Sequence, residues 1–580
     1  MSYFFIALLM ALATFFIGWR KGNEALAVTI SVVWGLIAWW ILYGGMLVIS
    51  PWGFHGIWVL ITLTFVWGGL VSLSEDEPSI LRWIPTFIAL FLFCVMVVTT
   101  WSAFQHERYR DLLGVKSENI IVGDSLFAAN FQPVPVEKMR VVSYSYAQLL
   151  AGDELGGDPG LSSRMQIGKM TEQNITAEFT INGGKTLKFE NSFIWIAPLE
   201  HTSYFKWINN GKSHNLKTTG YVIVDATNWQ NVYLVTEVNG KPLRMLYLES
   251  SWFSMNVKRH ARLNGYLGQG IADSRFQIDE NGQPHTVYAH YEKTIGFGGS
   301  NTIGAVVVNS QTGEIQRYSI ENAPAWVDRI QPEDFIEDQL SDWAKFRGGW
   351  WNSFLAEDGV EKTTAGSMVV VSSGNKSLWY TGIRGTKTTD DATTGFALID
   401  TRTKEVTIYR RQGIDENAAK VVAEDIQETR QARYSATTPI MYNIHGVPTY
   451  FMTMKGERNI MGYVFVSAIS RQTVGYGVSK QDALRAYIRS LTGNSGDQSI
   501  KDGPLTAIEA REYVVRAITL VGDNFYLLLE GQPGKEFYGP SMFFRDLKWT
   551  DKGHKVSMSY GVGESDLISI DFFENKSFKP

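Results

Sequence analysis

Two stretches decide the fold: Gly304 begins GAVVVNSQTGEI, and Gly395 begins GFALIDTRTKEV. They align without a gap at a separation of 91 residues. Each consists of a glycine, four mostly apolar residues, a small polar turn and a second strand-like run. Two short apolar runs joined by a polar turn are typical of a β-hairpin, so each stretch predicts one.

The same pattern recurs at Gly220, which begins GYVIVDATNWQNV, and at Gly462, which begins GYVFVSAISRQTV. A further pair of strand-like runs precedes the later hairpins, so each unit predicts a four-stranded antiparallel sheet. A helical segment accompanies each unit and would cover one sheet face. These segments are near Tyr146–Leu150, then Pro332–Lys345, Glu416–Glu428 and Ser479–Leu491.

The units are separated by 84, 91 and 67 residues, which is too irregular for a solenoid of short identical repeats. The spacing favours tandem small α+β modules, with chance hairpins as the alternative. The predicted boundaries are 105–260, 261–360, 361–432 and 433–496 for the modules, preceded by a membrane part at 1–104 and followed by a last domain at 497–580.

The last domain predicts a small closed β barrel of the OB type. Its predicted strands are Tyr513–Leu520, Asn524–Leu529, Lys555–Tyr560 and Leu567–Phe573. OB barrels often bind oligonucleotides or oligosaccharides, but acidic and basic residues are mixed here and indicate no electrostatic groove. A structural end cap is the favoured interpretation.

Composition excludes several classes of protein. The chain has 580 residues, of which 45% are hydrophobic and 19% charged, so it is neither disordered nor a coiled coil. Its net charge of -5 provides no basic field for nucleic acid. One cysteine, Cys94, excludes disulfide scaffolds and cysteine-rich zinc modules. No spacing of histidines indicates a metal site, and nothing indicates a cofactor.

The N-terminal part predicts four membrane-spanning helices. Residues 2–19 carry no charge, and neither do residues 25–74 apart from His55. A span needs about 20 apolar residues, so the second run is long enough for two helices, broken at Ser50-Pro51-Trp52-Gly53. The predicted spans are Ser2–Trp19, 25–48, 56–74 and Trp83–Trp101. A cleaved signal peptide and buried core helices are the alternatives for these runs.

Orientation follows from the short loops. Arg20 and Lys21 lie in the first loop and would remain cytoplasmic, which places both ends of the chain outside. Arg108, Arg110 and Lys116 oppose this orientation, but long domains translocate largely regardless of charge. The chain is therefore expected in a bacterial or host inner membrane, with its large C-terminal region outside the cytoplasm.

The repeated unit resembles the PepSY module, whose last hairpin carries a similar D-x-x-T-G-E turn. Gln311-Thr312-Gly313-Glu314 matches this turn well, Thr401–Glu405 matches it partly, and Asn228-Trp229 and Ser470-Arg471 depart from it. The arrangement also resembles a family of multi-span membrane proteins, without an assigned activity, from large bacteriophages and some bacteria. That likeness rests on IWIAPLEH, PAWVDRIQPEDF, GGWWNS and YNIHGVPTYFM. It implies an envelope location, and PepSY modules include proposed peptidase inhibitors.

One motif points to catalysis. Gly123-Asp124-Ser125-Leu126 matches the opening string of a family of serine esterases, and Asp551-Lys552-Gly553-His554 supplies the D-x-x-H spacing of that family. Ser125, Asp551 and His554 are thus weak catalytic candidates, because nucleophilic catalysis needs a base within hydrogen-bond reach of the serine. The intervening residues predict antiparallel hairpins, whereas those esterases have a parallel sheet.

A dense aromatic stretch contains Trp343, Phe346, Trp350, Trp351 and Phe354. It is either an interfacial segment or aromatic packing between modules, and packing is favoured.

The sequence therefore predicts a membrane-anchored, non-enzymatic envelope protein that binds or regulates another protein. The alternatives are an envelope hydrolase or regulator of cell-wall synthesis and cell shape, and a passive membrane scaffold. Expected partners are membrane lipid, an unidentified protein and, for the scaffold, a second copy of the chain.

Overall fold

The computed structural model describes most of the chain. The described residues are 2–19, 24–50, part of 56–66, 84–115, 117–121, 127, 130–208, 216–357, 359–364, 368–385, 392–456, 459–493, 511–521, 524–540, 545–560 and 567–577.

The N-terminal part is helical. Its helices are α1 Ser2–Trp19, α2 Glu24–Gly44, α3 Ile84–Thr100 and α4 Ser102–Asp111. Helices α1 and α2 pack closely through small residues, since a Cβ on Gly35 would lie 2.8 Å from the Cβ of Ala11. The Tyr3 hydroxyl donates to the Leu47 carbonyl at 2.7 Å, which joins the start of α1 to the end of α2. The two helices are therefore antiparallel.

The prediction of four spans is not supported by these helices. Within the described ranges, one helix is long and apolar enough to cross a membrane, with its apolar window at Ala27–Gly44. Helices α3 and α4 would add a second only as one span bent by 49°. The apolar part of α1 is short, Tyr3–Leu12, and most of the predicted helix 56–74 lies outside the described residues. A signal sequence would pass the same test of length and composition.

The chain between α4 and the C-terminal barrel contains four sheets within the described ranges. Strand β1 Ser117–Ile121 precedes the first sheet, which consists of β2 Met165–Ile167, β3 Thr171–Ile181, β4 Lys185–His201, β5 Tyr221–Asp225, β6 Val232–Val235, β7 Glu237–Val238 and β8 Lys241–Pro242. The second is a meander of β9 Gly270–Ile278, β10 Pro284–Ile295, β11 Gly298–Asn309 and β12 Ile315–Ser319.

The third sheet combines β13 Glu361–Thr363, β14 Val369–Ser373, β15 Lys376–Gly385, β16 Ala392–Asp400 and β17 Val406–Ile414. It also takes up β1, which pairs with β17 in parallel and departs from the expected all-antiparallel pairing. The fourth sheet consists of β18 Ser435–Ala436, β19 Ile440–Ile444, β20 Val447–Lys455, β21 Ile460–Ser467 and β22 Val474–Gly477. The other pairings within these four sheets, as described, are antiparallel.

The helices described in this part are α5 Tyr144–Gly156, α6 Pro159–Ser162, α7 Val257–Ala261, α8 Glu333–Phe346, α9 Glu416–Asp425, α10 Gln427–Gln431 and α11 Lys480–Gly493. All four predicted helical segments are confirmed: three correspond to α5, α8 and α11, and the fourth, Glu416–Glu428, is divided at Ile426 into α9 and α10. Helices α6 and α7 were not predicted. Short 3-10 turns are at Val136–Lys138, Phe253–Met255 and Arg545–Trp549, and π turns are at Arg262–Tyr266 and Asn352–Ala356.

The four predicted hairpins are all present and share one turn chemistry. In each, the polar residue that ends the first strand accepts a hydrogen bond from the backbone N–H two residues later, at 2.8–3.2 Å. These residues are Asp225, Asn309, Asp400 and Ser467. Such a side-chain bond stabilises a turn locally, which explains why the turn was recognisable from sequence.

The glycine that begins each hairpin has a steric reason. A Cβ added at Gly220, Gly304 or Gly395 would lie 2.1 Å from a carbonyl oxygen of the partner strand, and at Gly462 it would lie 2.9 Å from one. The register of the second, third and fourth sheets also shifts beside this glycine. A close backbone approach at a β-bulge excludes larger residues.

The sheets share their cores. One buried cluster joins the first sheet and α5 to the fourth sheet and α11, and another joins the third and fourth sheets. A third joins the first sheet to β9, and a fourth places α8 between the first and third sheets. The expected string of modules is therefore a packed assembly.

The C-terminal barrel is closed by five described strands: β23 Arg511–Val521, β24 Asn524–Leu529, β25 Glu536–Pro540, β26 Lys555–Tyr560 and β27 Leu567–Asn575. Four of them match the predicted strands. Strand β25, which pairs with β27 in parallel, was missed because it is short and ends in Gly539-Pro540, two residue types depleted in strands. The barrel core is formed by its own residues.

Candidate ligand-binding cavity between the four sheets

A cavity of about 370 Å³ lies where all four sheets meet, and we refer to it as the central cavity. This volume is within the range of about 300–1,000 Å³ typical of small-molecule sites. Its apolar wall contains Met170 and Trp195 from the first unit, Met368 and Trp379 from the third, and Phe451 from the fourth. Its charged residues are Arg140, Lys169, Glu172, Asp273, Arg275, Arg329 and Glu333.

Two of the cavity arginines are anchored by the first sheet. Arg140 forms an ion pair with Glu172 on β3 and lies 4.6 Å from the centre of the Phe193 ring. Arg329 donates to the backbone carbonyl of Glu172 and lies 5.7 Å from the centre of the Trp379 ring. Arg140 also donates to the Val370 carbonyl, so each of these two guanidinium groups has at least one hydrogen bond within the protein.

Asp328, beside Arg329, joins the first and second sheets. Its carboxylate accepts from the backbone N–H of Asn174 at 2.9 Å and from the side-chain amide of Gln277 at 2.8 Å. Gln173 adds bonds to the Ile278 carbonyl at 2.7 Å and the Trp326 carbonyl at 3.0 Å. This buried polar network rigidifies one side of the cavity.

Arg275 differs from the other two arginines. It is 4% exposed, and none of its three guanidinium nitrogens makes a hydrogen bond. Its Nε lies 3.5 Å from a carboxylate oxygen of Asp273, which compensates charge without forming a hydrogen bond. Each buried donor without a hydrogen bond costs about 1–3 kcal/mol of folding free energy, and more when the donor is charged. Arg275 is therefore the strongest candidate for contact with a ligand.

The backbone around Arg275 is irregular. Strand β9 shifts register against β10 between the pairs Val287–Arg275 and Ala289–Ala272, which is a β-bulge. Asp273 in this bulge has a φ of +49°, in the left-handed region. Bulges redirect side chains and are over-represented next to functional sites. Strain at this position places Asp273 and Arg275 together at the cavity wall.

The electrostatics favour an anion. Four basic residues face three acidic ones around the cavity. Burial raises the pKa of Glu333, which weakens one of the negative charges, whereas the guanidinium of Arg275 stays charged at neutral pH. A guanidinium matches the two oxygens of a carboxylate or phosphate in a bidentate pair. The arrangement suits an oxyanion attached to an apolar body.

Of the three catalytic candidates, the structure describes Asp551 and His554 but not Ser125, so the esterase triad stays a prediction. Ser125 lies outside the described residues; its neighbours Ile121 and Phe127 belong to the third sheet and its core. Asp551 and His554 lie in a turn of the barrel.

The ring of His554 is bonded to groups of its own turn and of strand β27. The His554 Nδ1 accepts from the backbone N–H of Asp551 at 3.2 Å and lies 3.0 Å from the side-chain amide of Asn575. In a hydrolase triad, the histidine Nδ1 would instead donate to the carboxylate. The observed bonds stabilise the turn.

The dense aromatic stretch divides at Gly348-Gly349. Trp343 and Phe346 are buried on α8, as the packing interpretation requires. Trp351 and Phe354 lie beyond the glycines and are 68% and 69% exposed. The two glycines interrupt the helical spacing in the sequence, so the position of the change was visible there.

The cavity arginines were missed by sequence reasoning because they come from distant parts of the chain. Their one trace was the stretch PAWVDRIQPEDF, which contains Asp328 and Arg329. Within the described part of the chain, no three His, Cys, Asp or Glu side chains are grouped as metal ligands.

Comparison with known proteins adds no family. No family model matches the chain, and no curated protein matches it.

Proposed function

We propose that this chain is a membrane-anchored, non-enzymatic envelope protein that binds another protein and holds an anionic group of that partner in the central cavity. Its four sheets serve as PepSY-like modules and its barrel as an OB-like end cap. The large C-terminal region lies outside the cytoplasm in this proposal.

Membrane anchoring is supported by the surface of the N-terminal helices. Only 22% of the window Ala27–Gly44 is buried, so α2 is not the core helix of a soluble domain. Trp40 is 72% exposed and Phe91 on α3 is 67% exposed. Large exposed apolar surfaces mark sites of contact with lipid or protein, which supports the proposed anchoring.

The single observation that carries the binding proposal is the buried guanidinium of Arg275 without hydrogen bonds. A peptide ending in an apolar residue offers both a carboxylate for Arg275 and a side chain for the Trp195 and Trp379 walls. Capture of a C-terminal carboxylate is an established mode of peptide recognition.

The test uses the full-length protein in detergent and two peptide probes that end in Leu, one with a free carboxylate and one amidated. We expect the free acid to raise the melting temperature and the amide to have no effect. Arg275→Met should reduce affinity at least about 30-fold, because a charge-assisted pair is worth about 2–5 kcal/mol. Arg317→Met, on β12 of the same sheet, is the matched control and should bind as the native protein does.

The same variant gives a second readout. Replacing a buried, poorly compensated charge by an apolar residue stabilises many proteins by about 1–4 kcal/mol, so Arg275→Met should melt higher than the native protein without peptide. Equal responses to acid and amide, or unchanged binding by Arg275→Met, would reject the anion site. Absence of any peptide binding would instead favour the passive scaffold.

A further inference from the structure

An exposed aromatic patch lies on the part of the chain that contains the four sheets, away from the central cavity. We define it by Tyr204, Phe205, Ile208, Trp252 and Phe253. Phe205 is 80% exposed and Phe253 is 54% exposed. The Tyr204 ring lies 4.9 Å from the Trp252 ring and 6.3 Å from the Phe253 ring, so two distant segments form one surface.

The patch is held in place at an energetic cost. Phe253 has a φ of +53°, which is unusual for a bulky residue. Its carbonyl accepts from Arg259 Nη1 at 2.7 Å. Strained backbone that is retained by a specific partner marks positions with a role other than stability.

Arg259 also connects the patch to the end of α2. Its guanidinium lies 4.5 Å from the centre of the Tyr43 ring. Nearby, the Ile49 N–H donates to the Leu267 carbonyl at 2.8 Å. One side chain therefore contacts both the last turn of the apolar helix and Phe253, which places the patch beside the helix end.

The two segments that form the patch are basic. The described residues 202–208, 216–217 and 251–261 contain Lys206, Lys217, Lys258 and Arg259 but no Asp or Glu, in a chain of net charge -5. Basic residues near a bilayer surface are each worth about 1 kcal/mol on anionic lipid.

We propose that the aromatic patch inserts into the headgroup region of an anionic bilayer beside the end of α2. Exposed aromatic rings flanked by Lys and Arg are typical of interfacial segments, which bury their apolar face about 5–10 Å into that region. This contact holds the four sheets at the membrane surface. It rests on the membrane anchoring proposed above, but not on the anion site.

The test places a fluorescent label at one cysteine at a time in full-length protein reconstituted in lipid nanodiscs. The lipids carry a quencher either in the headgroup, which reports on position 205, or in the acyl chain, which reports on Cys94. The positions are native Cys94 in α3, Phe205→Cys in a Cys94→Ala background, and Val478→Cys in the same background. Val478 is the matched control because it is apolar and 76% exposed on the fourth unit. We expect loss of emission at position 205, greater with phosphatidylglycerol than with phosphatidylcholine alone, and none at position 478. Lys206→Gln with Lys258→Gln should remove the lipid preference.

The outcomes separate the two proposals. If Cys94 is insensitive to an acyl-chain quencher, the membrane anchoring fails and the proposed function fails with it. If Cys94 is quenched but position 205 responds as position 478 does, the patch faces water or another protein and the present inference is overturned. Quenching at 205 that is equal in both lipids would reject the anionic preference.

Discussion

Glu416 is a buried carboxyl group at the start of α9, 4% exposed. Its Oε1 accepts from the Gly382 N–H at 2.9 Å. Tyr380, Tyr450 and the neighbouring Asp415 surround it, and burial, with a smaller contribution from the Asp415 charge, raises its pKa to about 7. The third and fourth sheets meet here, since the Tyr380 and Tyr450 hydroxyls lie 2.9 Å apart.

This group predicts a pH dependence. The folded protein binds the Glu416 proton more tightly than the unfolded chain, so its stabilising contribution is complete below about pH 4.5 and is lost as pH rises through about 7. The loss amounts to roughly 3 kcal/mol. In Glu416→Gln, the free energy of unfolding should fall less between pH 5 and pH 8 than in the native protein. Parallel pH profiles in chemical denaturation would contradict this prediction.

At the scale of one element, the hairpin glycines predict a large effect from a single methyl group. In Gly395→Ala the new Cβ would meet the Tyr409 carbonyl oxygen, 2.1 Å away, so strand β16 or β17 must shift. Overpacking typically costs about 1–3 kcal/mol. Gly385→Ala, on β15 of the same sheet, meets nothing within 4 Å and is the control. Equal midpoints of urea unfolding for the two variants would show that the close approach does not exist.

These hairpins were predictable because their information is local. Each hairpin signal lies within about a dozen residues and consists of a glycine, a β run and a turn-forming Asp, Asn or Ser. The side-chain hydrogen bond that fixes the turn joins residues only two positions apart. The central cavity was not predictable in this way. Arg140, Arg275 and Arg329 meet only after sheets from different units pack together, and hydrophobic periodicity carries no information on which sheet faces which. The prediction of four spans was not confirmed for another reason. Apolar runs that are only just long enough to cross a membrane do not identify spans by length alone.

At the scale of the whole molecule, the described residues form two kinds of cooperative unit. Buried clusters connect the first, third and fourth sheets, and a further one connects the second sheet to the first, whereas the barrel cluster contains barrel residues alone. Regions that share a core unfold together, and a domain with its own core unfolds separately.

Calorimetry of the full-length protein should therefore show one transition for the four sheets and a second for the barrel. Deletion of residues 497–580 should remove the second and leave the first within about 2 °C. Arg140→Met, which removes side-chain contacts to the first and third sheets, should lower the temperature of the first transition alone. A deletion that lowers the first transition substantially would show that the barrel stabilises the sheets.

The shared core of the first and fourth units has a consequence for biogenesis. The backbone N–H of Arg140 donates to the Tyr442 hydroxyl at 3.1 Å across 302 residues of chain. At about 5–20 residues per second, a ribosome needs roughly 15–60 s to make that interval. During this time the apolar face of the first sheet that packs on the fourth sheet is exposed. The core of the first sheet is complete only after the fourth sheet has been made. Nascent chains of this protein should therefore depend on a holding chaperone until synthesis passes residue 491.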